Sequence, residues 1–105
     1  MTRKRQGRPA LKRIVIGENM KRIRIAARQI GAKWYQGWPV DPWDVDVAMK
    51  RNRRWIIEKM RKDYEIVDIG IDPTRTFRSQ FYQMERQLLQ TSNYPVMRYD
   101  KIIRS

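Results

Sequence analysis

The sequence predicts a small α/β domain, a three-layer Rossmann-like sandwich with a four-stranded, mostly parallel sheet in order 2-1-3-4 and three helices. Three observations carry this expectation. Short apolar runs alternate with helical segments in the order βαβαβαβ, which calls for parallel strands joined by crossover helices. The stretch Tyr64–Asp72 packs Ile66, Val67, Ile69 and Ile71 too densely for a strand covered on one face only. Right-handed crossovers with helices on both faces then favour the order 2-1-3-4, whose switch point lies between the first and third strands.

The first strand is expected at Ile14–Ile16, ending at Gly17. From Glu18 to Ile30 the spacing is helical, with Met20, Ile23, Ala27 and Ile30 on an apolar stripe and Lys21, Arg24 and Arg28 on a basic one. Gly31 suits the left-handed residue that closes a helix. Gly17 lacks the companion glycines of a dinucleotide fingerprint or a P-loop, and Glu18 at the helix start would repel a phosphate. The second strand is expected at Ala32–Gln36, followed by Gly37. Asp41 fits a helix N-cap, Pro42 the first helical position and Asp44 the first turn, while Val40 and Val45 suit a hydrophobic staple. This helix should run from Pro42 to about Lys62, burying Val45, Met49, Ile56 and Met60 beside Trp55. Lys50, Arg51, Arg53, Arg54, Lys59, Arg61 and Lys62 crowd its remaining faces. Asn52 falls on the apolar side, where a specific hydrogen bond is expected.

The third strand is read as Tyr64–Asp72. Asp68, inside it, must be paired, sit near the strand's mouth or be uncharged, because burying a lone carboxylate is costly; backbone donors or an Arg would satisfy it. Beyond a polar loop, Ser79 is the expected N-cap of a helix over Gln80–Gln90. Phe81, Met84 and Leu88 should form its buried stripe, with Tyr82, Glu85 and Leu89 on an adjoining one. A last strand is expected at Val96–Tyr99, entered through Pro95.

At 105 residues, with 41% hydrophobic and 33% charged, the chain suits a single core spanning residues 14–105. No run approaches the roughly 20 apolar residues needed to span a bilayer. No export leader is apparent, so the expected location is cytoplasmic, or else within a virion or delivered into a target cell. Residues 1–13 read as a disordered basic arm with Arg3, Lys4, Arg5, Arg8, Lys12 and Arg13. Within it, Gly7-Arg8-Pro9 resembles the core of an AT-hook, with Gln6 where that motif has its first core Arg. Nonspecific phosphate contact, or a merely solvating role, is the favoured reading of the arm. Cys and His are absent, which removes disulfides, thiol nucleophiles, imidazole bases and the usual zinc sites. No metal or cofactor is expected, and catalysis falls to carboxylates, Tyr, Ser, Thr, Lys or Arg. The net charge of +13 implies a polyanionic partner. Nucleic acid, a phosphorylated nucleotide, or an acidic inhibitor or assembly protein all satisfy it.

The switch point should set Gly17, Glu18 and Asn19 opposite Asp68, Asp72, Arg75 and Ser79, with Tyr82 and Glu85 projecting into the same region. Arg75 or Arg78 on phosphate, a carboxylate on ribose hydroxyls, and Tyr82 or a Trp against a base would compose a sugar-phosphate site. Glu18, Asp68 or Glu85 beside a glycosidic carbon would stabilise an oxocarbenium-like centre. The candidate catalytic set is therefore Asp68, Asp72, Arg75, Ser79 and Glu85, and the candidate ligand set Gly17, Glu18, Asn19 and Tyr82. Arg3, Lys4, Arg5, Arg8, Arg51, Arg53 and Arg54 are the candidate nucleic-acid contacts. Trp38 and Trp43 are expected to lid the core, with base stacking as the alternative. The competing structural reading has Asp72 and Ser79 capping turns, Arg75 paired with Asp72, and Glu85 exposed.

One set of motifs extends over most of the chain. It comprises Gly17-Glu18-Asn19-Met20 with Arg22, Gly31-Ala32, Asn52-Arg53 with Trp55-Ile56, Asp68-Ile69-Gly70-Ile71-Asp72, Arg75, Ser79, Phe81-Tyr82 and Met84-Glu85. This set resembles the C-terminal effector domains of Rhs-type bacterial polymorphic toxins and related phage proteins. The resemblance implies a compact effector fold and leaves the reaction open. The expected function is a basic Rossmann-like domain that binds or acts on a nucleotide or nucleic-acid phosphate, as an effector enzyme. The alternatives are a noncatalytic DNA- or RNA-binding module and a virion structural protein.

Overall fold

A computed structural model describes residues 12–37 and 43–100. The elements run β1 (Arg13–Ile16), α1 (Met20–Ile30), β2 (Lys33–Trp34), α2 (Val45–Arg61), β3 (Glu65–Asp68), α3 (Gln80–Thr91) and β4 (Val96–Arg98). All strand pairs are parallel, and the sheet order is β2-β1-β3-β4, as the pattern of crossovers requires. The central pair sets Ile14 against Ile66 and Ile16 against Asp68.

Strand periodicity divides the core in two. Ile14, Ile16 and Ile66 point to one face and pack with Ile56 of α2 and Leu89 of α3; Val15 and Val67 point to the other, against Ile23, Ala26 and Ala27 of α1. Each side chain removed from water contributes about 1.5–3 kcal/mol, so covering both faces of so short a sheet is what makes it stable. The small residues Ala26 and Ala27 let α1 lie close to the strands. Gly31, at φ 67°, ends α1 in the left-handed conformation that favours glycine.

Several boundaries differ from the sequence expectation. Strand β1 begins at Arg13, whose guanidinium donates to Glu65 on the neighbouring strand at 2.6 Å. Glu18 does not start α1: Asn19 is the N-cap, accepting from the Arg22 amide, and Glu18 is buried in the preceding turn. Strand β3 stops at Asp68 because the chain turns there, with the Gly70 amide donating back to the Asp68 carboxylate at 2.7 Å. The expected start of α2 at Pro42, with Asp41 and Val40, falls outside the described residues, as does Trp38. In the described part the helix begins at Val45 after Asp44, whose side chain makes no capping bond.

Two helix faces are also turned relative to expectation. On α3 the buried residues are Tyr82, Glu85 and Leu89, while Phe81, Met84 and Leu88 are only partly covered. On α2 the buried set is Asn52, Ile56 and Lys59. The Lys59 ammonium lies 4.7 Å from the Tyr64 ring centroid and 5.3 Å from that of Trp55, so aromatic faces replace part of its hydration.

Gly17 sits where two loops meet. A Cβ added there would lie 2.3 Å from Cγ1 of Ile69, an inner atom of a side chain already packed into the core. Gly17→Ala is expected to lower stability by about 1–3 kcal/mol in urea denaturation, through the displacement of Ile69.

Candidate active site

The segments after β1 and β3 meet at the carboxyl ends of the strands, and Glu18 holds them together. Its Oε1 accepts from the Asp72 amide at 2.8 Å and its Oε2 from the Ser79 amide at 2.7 Å. Arg78 approaches Oε1 at 3.3 Å and Arg75 approaches Oε2 at 3.9 Å. Burial pushes the Glu18 carboxyl up, but the Ser79 and Asp72 amides and the Arg78 and Arg75 charges outweigh it and leave its pKa below the ordinary 4.5. Both oxygens are committed to the protein's own backbone, so Glu18 is a clamp. Arg78 is likewise occupied, donating to the Asp72 and Arg75 carbonyls. The Arg75 guanidinium pairs with Glu18 and donates to the Phe77 carbonyl.

Asp72 is a turn residue. Its carboxylate accepts from Asn19 Nδ2 at 2.9 Å, the Thr74 amide at 3.0 Å and the Thr74 hydroxyl at 2.6 Å. The Asn19 and Thr74 donors depress its pKa from 3.8 to about 2. A carboxyl with a depressed folded pKa stabilises the fold above its unfolded value and loses that contribution as pH falls through the folded one. Acid unfolding, followed by circular dichroism, is therefore expected to set in below the ordinary values of 4.5 and 3.8 and to continue to about 2. Asp72→Asn should flatten the lower part of that limb.

Asp68 and Tyr82 belong elsewhere. The Tyr82 hydroxyl donates to both Asp68 oxygens, at 2.8 and 3.0 Å, and Arg86 reaches Asp68 at 3.1 Å. Burial, together with the Asp68 carboxylate, drives the Tyr82 hydroxyl up to about 12. This network lines a cavity of about 550 Å³ beside β4 with Gly70, Arg86, Tyr94 and Arg98. Asp68, Tyr82 and Arg86 pair with one another there.

The larger cavity, about 750 Å³, opens between β1, α1, the segment after β2, and α2 and α3. Of the expected site residues it takes Gly17, Glu18, Arg75, Ser79 and Glu85; Asn19, Asp68, Asp72 and Tyr82 do not line it. Ser79 caps α3 by accepting from the Tyr82 amide, and its own amide is held by Glu18. To these the fold adds Arg24 and Arg28 from α1, Trp34 and Tyr35 from β2 and its exit, Asn52 from α2 and Phe81 from α3. Arg24 and Arg28, one helical turn apart, read from spacing only as a basic stripe. Trp34 and Tyr35 sat inside an expected strand. Nothing in their local sequence told a cavity wall from a core face.

Within the cavity wall, Asn52 Nδ2 donates to Glu85 Oε2 at 3.1 Å, the specific bond that its place on the apolar face implied. Burial raises the Glu85 carboxyl to about 7, and the nearby Asp68 charge adds to the effect against the lowering by Asn52. Asn52 Oδ1 is buried and has no hydrogen-bond partner among the described residues.

No family model matches this chain, and neither does any curated protein or solved structure.

Glu85 is the less committed of the cavity's two acids, holding one bond, from Asn52, where Glu18 holds two backbone amides. It is poised near neutrality, beside an unsatisfied acceptor, in a chamber walled by aromatic rings and two α1 guanidiniums. Arg28 lies 5.8 Å from the Trp34 ring centroid, and neither it nor Arg24 meets an acidic side chain among the described residues. Among the described residues there is also no group of three or more His, Cys, Asp or Glu placed to hold a metal ion, and no helix long and apolar enough to cross a membrane.

Proposed function

We propose that this domain is a nucleotide-directed enzyme, with Glu85 as its acid–base group. The observation that carries the reading is the placement of Glu85, bonded to Asn52, in the wall of the cavity that also holds Arg24, Arg28, Trp34, Tyr35 and Phe81, where burial raises its carboxyl to about 7. Arg24 and Arg28 supply charge for phosphate, Trp34, Tyr35 and Phe81 supply surfaces for a base, and Asn52 Oδ1 offers an acceptor for a ligand donor. Gly17, Glu18, Asn52, Arg75, Ser79 and Glu85 all belong to the likeness to Rhs-type effector domains, and all line this cavity. That convergence supports the effector reading.

The reaction this set suits is hydrolysis at the anomeric carbon of the nucleotide. Water attacks that carbon, the bond to the base breaks, and the base departs with the electron pair. Ionised Glu85 takes the proton of the attacking water and faces the oxocarbenium-like centre. Glu18, with both oxygens bonded to backbone amides, holds the chamber's shape.

The test is incubation with ribo- and deoxyribonucleotides, with chromatography for released base and titration calorimetry for binding. Base release that disappears in Glu85→Gln, with binding weakened at least about tenfold in Arg24→Ala/Arg28→Ala, is the expected result. If no nucleotide binds or is cleaved, the proposal is wrong.

A further inference from the structure

The main cavity continues past the chain that walls it. Tyr35, Gln36 and Gly37 border it and also line a groove of about 340 Å³ completed by Arg51, Arg54 and Trp55. Arg54 and Glu58 in turn border a third groove, about 530 Å³, with Lys50, Arg53 and Arg61. Because neighbouring depressions share lining residues, they make one track leading out of the cavity and along α2.

That track is cationic and largely uncompensated. Arg51, Arg53, Arg54 and Arg61 are exposed, and the acid of the track, Glu58, is already shared by Lys59 and Lys62. Arg51 to Arg61 extends over about 15 Å of helix. Like charges on adjacent turns repel, so a polyanion laid along this face gains both direct contacts and relief of that repulsion.

We infer that the track takes a single-stranded polynucleotide, one nucleotide of which occupies the cavity while its neighbours run along α2. This rests on the reading of the cavity as a nucleotide site and narrows its substrate class. A base must be unpaired to enter a chamber of this kind, which favours a single strand over a duplex. Guanidinium forks match phosphate oxygens, and the Tyr35–Trp55 pair, edge to face at 5.4 Å, supplies an aromatic wall between cavity and track.

The experiment measures fluorescence anisotropy of labelled single-stranded DNA and RNA, from one to about eight nucleotides, across a salt series. Affinity should rise at least about tenfold with length and fall steeply with salt. In Arg51→Ala/Arg53→Ala/Arg54→Ala the length-dependent gain should vanish and the salt slope should shrink by about 2, with mononucleotide affinity unchanged. These three side chains are exposed, so the variant keeps its core. Affinity that does not grow with length overturns the track while leaving the nucleotide reading standing. Poly-glutamate competing as well as the oligonucleotide points to an acidic protein partner and overturns it too. If neither mononucleotide nor oligonucleotide binds, both readings fall.

Discussion

Glu85→Gln will stabilise the fold above neutral pH and, on the proposed activity, sharply slow base release. A carboxyl whose folded pKa is raised contributes stability that is complete below its unfolded value and is lost as pH climbs through the folded one. For Glu85 that window runs from 4.5 to about 7, so at about pH 8.5 the ionised, buried carboxylate weakens the fold. The shift corresponds to on the order of 3 kcal/mol. Glutamine keeps an acceptor for Asn52 and carries no charge, so thermal and urea melts should show the variant gaining most of this above neutrality and little at about pH 4. Turnover should fall by about 10²–10⁴. Loss of stability at every pH would instead mark Glu85 as structural. Together with the acid limb from Glu18 and Asp72, this sets the stability maximum of the wild-type protein on the acid side of neutrality.

Asp68→Ala will have the opposite character, a large loss of stability. Asp68 holds the turn after β3 through the Gly70 amide and gives the buried Tyr82 hydroxyl its acceptor. Removing the carboxylate orphans one buried donor, the Tyr82 hydroxyl, and one partly buried donor, the Gly70 amide, each worth about 1–3 kcal/mol, for a total near 3 kcal/mol in urea denaturation. Arg86 is more than half exposed, so water can take over its solvation and its contribution is small. Tyr82→Phe alone should cost about 1 kcal/mol. Added to Asp68→Ala it should cost almost nothing further, since the two side chains act through one bond. Additive losses would show that they stabilise the fold separately.

The contrast between these two carboxylates shows where reading residues in sequence succeeds and where it stops. Both stand in apolar patterns, and both were candidates for the same crevice. That the two loops meet was foreseeable: Asn19 and Asp72 bond at 2.9 Å, as the switch point between β1 and β3 requires. Which carboxylates would remain available there was not. Glu18 is consumed by amides 54 and 61 positions away, while Asp68 turns toward Tyr82 and Arg86. The buried face of α3 differs from the one its apolar spacing predicts for a related reason. Phe81, Met84 and Leu88 are more apolar than Tyr82, Glu85 and Leu89, but Tyr82 and Glu85 have partners in Asp68 and Asn52 that make their burial tolerable.

Strand order, parallel pairing and a sheet covered on both faces follow from local pattern and crossover handedness, which act over short stretches of chain and are written in the spacing of apolar residues. The free or committed state of each polar group depends on donors brought in from distant segments, and no local spacing encodes them. Packing alone left Glu85 ionisable near neutrality and turned Glu18 into a clamp, because desolvation and amide hydrogen bonds, which set these states, exist only once the chain has closed on itself.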